Sequence, residues 1–263
     1  MKEDFSISNA HNLPKWRRPE ALLILMAVAL PLAFSVWSAL LNNFVVEVIR
    51  FDGLDIGLLH TIREIPGFFA VGVISILLFV REQTLALLML ALLGIATAVT
   101  AWFPFLSGIL TVTLLSSVGF HFFETVNQSL QLQWISKAEA PSKLGKLMAY
   151  GSAATLIAYI FIILGWEKLN LSFNSAYMLA GLSCFALAVI GYISFPRFKA
   201  PVPQIKKMVI RKRYWLYYLL QFLSGARRQI FVVFAGFMMV ERFGMDVQQL
   251  TCLLYTSPSP RDS

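Results

Sequence analysis

One apolar stretch of the chain, residues 109–134, carries polar side chains along a single stripe. At 100° per residue, six of them fall within an arc of about 80° on a helical wheel: Thr113, Ser117, His121, Glu124, Gln128 and Gln131. The stretch is long enough to cross a bilayer as one helix. Because an unsatisfied carboxyl or imidazole is costly in hydrocarbon, we expect the stripe to face protein or a water-filled cavity, as in a transport pathway.

Two ionisable groups on this stripe suit proton coupling. Coupling requires a carboxyl or imidazole that can take up and release a proton within the membrane. Glu124 and His121, three residues apart, are predicted to fill that role, with Glu64 as a second carboxyl. For His121 a buried histidine with satisfied hydrogen bonds is the alternative. Neutral hydrogen bonds to a substrate would come from three amides of the same stretch: Asn127, Gln128 and Gln131.

Three arginines in apolar stretches are candidates for binding an organic anion, since a guanidinium is a fixed, fork-shaped cation. Arg227 and Arg228 are adjacent near the middle of one run, where both cannot reach an interface, so one is predicted to face a central cavity. The third is Arg63, in HTIREIPGFF. Structural roles remain open. Arg63 can pair with Glu64 or Glu124 to hold helices together, and the adjacent pair can bridge to an acidic residue of another span.

The composition indicates a membrane protein. Of 263 residues 58% are hydrophobic and 14% are charged, and the mean hydropathy is +0.70, whereas soluble domains average about 25% charged residues. The net charge of +8 comes from basic residues in the gaps between apolar runs, which does not fit a nucleic-acid-binding face. Two cysteines indicate neither a disulfide framework nor a metal cluster. No catalytic or phosphate-binding motif is present, so we expect neither an enzyme nor a cofactor.

Successive apolar runs predict seven spans and the start of an eighth. They cover residues 20–45, 56–80, 84–103, 108–134, 147–166, 175–195 and 214–240, with the eighth from 247. If the N-terminus is cytoplasmic, most Lys and Arg residues fall inside, and those outside are Arg50, Lys168 and Arg242. The positive-inside rule therefore predicts a multi-pass protein of the bacterial inner membrane with a cytoplasmic N-terminal segment, residues 1–19.

A basic, proline-containing segment and an internal repeat predict two related halves. Residues 196–213 would form a cytoplasmic loop between a six-span half, 20–195, and the start of a second half, 214–251. The sequence VIRFDGLDIGLL at 48–59 recurs, with one gap, as VERFGMDVQQL at 240–250, an offset of about 192 residues. Equivalent positions after the first and seventh spans favour duplication of a six-span unit.

The six-span unit, the basic central loop and the repeat resemble the major facilitator superfamily. That family's loop between spans two and three carries Gly-x-x-x-Asp-Arg-x-Gly-Arg-Arg, whereas residues 80–84 here read VREQT and only Arg81 corresponds. The Gly-Pro motif of drug and proton antiporters is absent from residues 151–165, which contain no proline. These departures put the usual interaction of the inside gate in doubt and disfavour drug export.

The resemblance implies an all-α bundle that transports a solute by alternating access. We expect a small, anionic or polar organic solute, protons as the coupling ion, the lipid bilayer as surroundings, and a monomer when full length. The alternatives are an exporter of amphipathic compounds, or a membrane sensor or assembly protein that transports nothing. A large soluble domain would favour the sensor, and the sequence predicts none.

The last segment of the chain looks foreign. Residues 252–262, CLLYTSPSPRD, resemble the in-frame translation of a sequencing-library adapter of the transposase type. We therefore predict that residues 252–263 are not native and that the open reading frame is truncated near Thr251. The alternative is a natural tail rich in Ser and Pro. A truncated chain would lack most of a second half, and the 263-residue product is then expected to be inactive in transport.

Overall fold

The computed structural model describes residues 4–199 and 211–256, with the backbone but not the side chains of residues 71, 167, 225–233 and 256. The helices are α1 (Pro19–Phe44), α2 (Gly53–Phe68), α3 (Val73–Ile76), α4 (Glu82–Val99), α5 (Leu106–Trp134), α6 (Ala140–Lys168), α7 (Phe173–Ser194), α8 (Trp215–Glu241) and α9 (Val247–Thr256), and the strands are β1 (Asp4–Ser6) and β2 (Arg197–Lys199). Short 3-10 turns occupy Ile7–Asn12, Lys15–Arg17, Phe69–Gly72, Thr100–Trp102 and Lys212–Tyr214, and a π turn occupies Val45–Ile49.

Five helical segments are long and apolar enough to cross a membrane. Within the described residues they are Pro19–Ile49, Glu82–Trp102, Leu106–Trp134, Ala140–Trp166 and Phe173–Ser194. Large apolar side chains such as Leu115, Ile157 and Leu182 point outward and are 45–63% exposed, as lipid-facing residues are. The chain is an all-α integral membrane protein with several spans, and the short β1 and β2 strands are the exception to its helical structure.

The second predicted span is not one continuous helix. α2 contains Pro66 and ends at Phe68, and the chain then forms a 3-10 turn and the four-residue α3. Proline removes a backbone donor and crowds the preceding turn, and the adjacent Gly67 adds conformational freedom. The prediction of a helix over 56–80 is therefore wrong beyond residue 68. The other boundaries agree within a few residues, except that α6 begins at Ala140 rather than near 147.

α4 packs against α5 and α7 and approaches both closely through backbone atoms. A Cβ atom added at Gly119 of α5 would lie 2.8 Å from the backbone of α4. A Cβ added at Gly181 of α7 would overlap the Ala98 nitrogen and the Gly94 oxygen of α4. Small residues permit such close approach between helices in a membrane. Around this contact α1 packs on α6 and α7, and α2 packs on α5.

Substitution of Gly181 by alanine should destabilise the bundle because α4 and α7 would have to separate. We expect a loss of about 3 kcal/mol in the free energy of unfolding, at the upper end for overpacking. Thermal unfolding in detergent measures it. The matched control is Gly145→Ala in α6, where a Cβ meets no atom within 4 Å and alanine should stabilise by about 0.5–1 kcal/mol. Equal melting temperatures for the two variants would contradict the close contact.

The N-terminus and the segment after α7 meet at one end of the bundle. β1 and β2 pair in parallel, with Phe5 opposite Phe198. Asp4 forms ion pairs with Arg81, which precedes α4, and with Lys199 of β2 at 3.0 Å. We call this the basic end. The segments predicted to share one side of the membrane therefore do lie together, whereas the compartment that the basic end faces remains a prediction.

The charge of Asp4 is stabilised by both cations. Hydrogen bonds to Arg81 and Lys199 hold the pKa of the Asp4 carboxyl well below its usual range. Since the folded-state pKa is depressed, the stabilisation is complete above the unfolded value of about 4 and is lost as the pH falls through the folded value. The contact between β1 and the bundle therefore persists at neutral pH and weakens in acid.

Removing the Asp4 charge should loosen β1 at neutral pH. In Asp4→Asn the amide cannot neutralise the two cations, so the backbone amides of residues 4–12 should exchange faster at pH 7. Hydrogen exchange with mass spectrometry measures this rate. Glu139→Gln is the control, because Glu139 forms an ion pair with Lys143 at 3.0 Å at the same end of the bundle. This variant should leave the amide exchange of residues 4–12 unchanged. Equal exchange in Asp4→Asn and the unmodified chain would refute a role for the ion pairs.

The two copies of the internal repeat have the same local structure. The segment before α2 and the segment before α9 each contain a residue in the left-handed conformation, Arg50 (φ 68°) and Gly244 (φ 63°). In each copy the next residue donates its N–H to a carbonyl six positions back, at 2.9 Å for Phe51 and 3.2 Å for Met245. This bond spans one residue more than the 6→1 bond of a Schellman ending, which joins residues five positions apart.

An aspartate capping box follows in both copies. Asp52 accepts from the N–H of Asp55, and Asp246 accepts from the N–H of Gln249 at 2.8 Å. In both copies the N–H of the cap residue donates in turn to a side-chain oxygen of the third residue. The structural equivalents lie about 194 residues apart, so Asp246 corresponds to Asp52, whereas the sequence pattern aligned it with Asp55. Asp246 is matched to Asp52 because both residues accept the cap hydrogen bond at the start of a helix.

Candidate functional site

The polar stripe of α5 is buried at one end and opens towards the other. Thr113 and Ser117 are buried, with 1% and 4% of their surface exposed. Further along, His121 and Glu124 are half-buried and Gln128 is exposed. The stripe therefore runs from the packed interior of the bundle to an accessible surface near the basic end.

The opposite wall is formed by Arg63 of α2 and two aromatic rings of α1. The guanidinium carbon lies 5.6 Å from the ring centroid of Phe34 and 5.4 Å from that of Trp37, within cation–π range. Its Nη1 atom is 3.4 Å from Nδ1 of His60 and 3.7 Å from the Glu64 carboxylate. Glu64 is one of the two partners expected for Arg63 in a purely structural role. The two aromatic rings also fix the orientation of the guanidinium. An ion pair that only held the helices together would not require this.

A direct hydrogen bond joins α5 to α2 at this point. The Ser117 hydroxyl donates to the backbone carbonyl of Arg63, one turn before Pro66 interrupts the ladder of α2. Ser and Thr side chains commonly satisfy backbone groups beside a proline in a membrane helix. The bond places Arg63 opposite the buried end of the stripe.

A small pocket lies where α1, α2 and α5 meet. It has room for about one water molecule and is lined by Phe34, Trp37, Arg63, Thr113, Ser116, Ser117 and Phe120. Trp37 is 4% exposed and Thr113 is 1% exposed, and neither the indole Nε1 nor the Thr113 Oγ1 has a hydrogen-bond partner among the described residues. A buried polar group without a partner costs about 1–3 kcal/mol, so these two groups make the contact between α1 and α5 less stable than a fully hydrogen-bonded one.

His121 lies where α5 crosses the break in α2. A Cβ added at Gly67 would lie 3.1 Å from the His121 ring, so glycine makes room for the imidazole. The charges of Glu64 and Arg63 act on this ring across the helix contact. The His121 Nε2 atom is buried and has no hydrogen-bond partner among the described residues. His121 and Glu64, which were expected to act in proton coupling, are thus neighbours on facing helices.

The remaining candidate residues lie further along α5 and in α8. Asn127 is buried with an unpartnered Oδ1 in the described part of the chain, and Gln131 is half-buried. The side chains of Arg227 and Arg228, expected to bind an anion, lie outside the described residues. Their position relative to the pocket therefore stays a prediction.

Sequence reasoning missed the aromatic part of the site. Phe34 and Trp37 are not among the residues that the sequence pattern singles out, yet they contact the Arg63 guanidinium, and Phe34 stacks on Phe120 with 4.5 Å between ring centroids. A usable signal was present, because an arginine within a span needs a partner and aromatic residues three apart share a helix face. Which of many aromatic pairs would meet the arginine depends on helix packing.

Comparison with solved structures reveals a relationship of fold. The chain matches the crystal structure of nucleoside transporter NupG with a TM-score of 0.64 over 90% of this chain. The chain shares the fold of a membrane transporter. It spans 63% of the length of NupG, at 14% sequence identity. Neither a scan against protein-family models nor a search of curated proteins gives a match.

Loss of the Ser117 hydroxyl should weaken the contact between α2 and α5. We expect Ser117→Ala to lower the free energy of unfolding by about 1 kcal/mol, since one hydrogen bond is lost and a carbonyl is left with fewer partners. The control is Ser183→Ala on α7, where an exposed hydroxyl donates to Leu179 of its own helix and the loss should be below about 0.5 kcal/mol. Thermal unfolding in detergent compares them, and equal shifts would contradict a stabilising bond to Arg63.

Proposed function

We propose that this protein is a secondary transporter of the major facilitator type that moves a small polar or anionic organic solute by alternating access. The observation that carries the proposal is the buried polar pocket between α1, α2 and α5, in a chain with a transporter fold. Buried polar groups in a membrane helix are expensive and are retained for function. The N-terminus is proposed to be cytoplasmic, because the basic end gathers the Lys and Arg residues that the positive-inside rule places there.

The solute is proposed to contact both the pocket and the amides of α5. The pocket supplies a cation and hydrogen-bond donors, and Asn127, Gln128 and Gln131 supply neutral hydrogen bonds further along the helix. Nucleosides belong among the solutes tested, since the similar structure is that of a nucleoside transporter. The basis for an anionic solute is the guanidinium of Arg63.

The uptake test uses the reading frame resequenced across the codon for Thr251, expressed in full and reconstituted in proteoliposomes. Uridine, benzoate and a neutral sugar are offered with and without an inward proton gradient. We expect at least one solute to accumulate with the gradient and to leak out when a protonophore is added. No accumulation of any solute under any gradient would instead favour the sensor or assembly alternative.

Glu124→Gln should abolish proton-driven accumulation. Glu124 is proposed to carry the coupled proton together with His121 and Glu64. Because the glutamine amide of the variant cannot bind and release a proton, accumulation should fall at least about tenfold while solute exchange persists. The matched control is Glu82→Gln, because Glu82 is bound by Ser129 and Gln133 near the basic end and lies off the stripe. Unchanged pH-driven uptake in Glu124→Gln would remove Glu124 from the coupling mechanism.

A further inference from the structure

Two side-chain amides join α8 and α9 to the preceding helices at the end of the bundle opposite the basic end. Asn43 of α1 donates to the Met245 carbonyl at 2.9 Å, and Gln248 of α9 donates to the Ile163 carbonyl of α6 at 3.2 Å. We call these two hydrogen bonds the clasp. We propose that the clasp keeps this end of the transporter closed and that it releases in the other state of the transport cycle. The proposal rests on the proposed transport function.

The Asn43 amide is fixed in position for its clasp bond. Asn43 is fully buried, and its Nδ2 atom also donates to the Glu47 carboxylate at 2.8 Å, so both of its N–H groups are used. Glu47 belongs to the π turn that follows α1, and such turns are frequent at functional sites. The adjacent Asn42 fits against α8, because a Cβ added at Gly236 would lie 2.7 Å from the Asn42 Nδ2 atom. The end of α1 is therefore fitted both to α8 and to the turn that leads into α9.

Apolar packing surrounds the clasp. Phe237 and Val240 near the end of α8 are buried, as are Val247 and Leu250 at the start of α9, and α9 packs on α6 and α1. At the other end of α8, every side chain of residues 211–224 is exposed. Among the described residues, α8 therefore packs against the earlier helices near the clasp and buries no side chain against them at the basic end.

The chemistry of the clasp suits a contact that must open and form again. Hydrogen bonds between neutral groups contribute little net free energy, because water replaces them when the contact opens. Breaking a buried ion pair would instead leave costly unpaired charges. A bundle that is closed at one end and open at the other is one of the two states that alternating access requires. Loss of one clasp bond should therefore increase the population of the other state by about fivefold.

The first measurement is the rate at which a membrane-impermeant maleimide labels Leu250→Cys, since Leu250 is buried while the clasp is closed. It uses the full-length protein of the uptake test, in nanodiscs and without other exposed cysteines. Asn43→Ala and Gln248→Met each remove one clasp bond and should each raise the labelling rate about fivefold. The control is Gln83→Met, because Gln83 donates to the Pro196 carbonyl at 2.9 Å without involving α8 or α9. It should change the rate less than twofold, and thermal unfolding confirms that each variant is folded.

A second measurement separates opening of the clasp from local loosening of α9. Spin labels at Trp16→Cys and Trp215→Cys, both exposed near the basic end, report the distance across that end by pulsed electron paramagnetic resonance. We expect Asn43→Ala and Gln248→Met to increase the population of a shorter distance, whereas Gln83→Met should match the unmodified protein. The proposal is wrong if both clasp variants label at the control rate, or if labelling accelerates while the distance at the basic end stays the same.

Neither measurement uses a solute, so the clasp and the transport function fail separately. Changes at both ends in the clasp variants, with no uptake of any solute by the unmodified protein, would refute the transport function alone. Uptake of a solute by a protein whose labelling rate and distance do not depend on the clasp residues would refute the clasp alone.

Discussion

Hydrocarbon offers no hydrogen-bond partner, so the polar groups that α2 and α5 carry into the bundle must be satisfied by a neighbouring helix or by a ligand. This constraint explains the arrangement around Arg63. Its backbone carbonyl accepts from Ser117, and its guanidinium rests on Phe34 and Trp37. Where no partner lies among the described residues, as at the Trp37 indole, the buried donor is left unsatisfied.

The position of α5 depends on α4, which is packed too closely on both sides to shift. Gly119 places the backbone of α5 against α4, and Gly181 does the same for α7. On α5, Gly119 lies about 200° from Ser117 around the helix axis. One face of α5 therefore meets a rigid neighbour while the opposite face presents the polar stripe to α2. The close packing at Gly119 and Gly181 thus fixes the geometry of the site, although neither glycine contacts the site.

The two ends of the bundle are organised by different interactions. At the basic end, Asp4 brings the N-terminal strand to Arg81 and Lys199. At the opposite end, hydrogen-bonded caps around Asp52 and Asp246 turn the chain between helices in the same way in both copies of the repeat. The first is a long-range, charge-dependent contact, whereas the second is local and recurs because each cap forms within a few residues.

The sequence by itself determined the membrane class, most helix boundaries, the buried stripe of α5 and the gathering of basic segments at one end, because hydropathy, helical period and charge are local properties. Only the tertiary structure decided that Phe34 and Trp37 meet Arg63, that His121 fits against Gly67, and that Asp246 corresponds to Asp52. These contacts join residues distant in the chain, and their partners are selected by close packing and hydrogen-bond geometry, which no local pattern encodes.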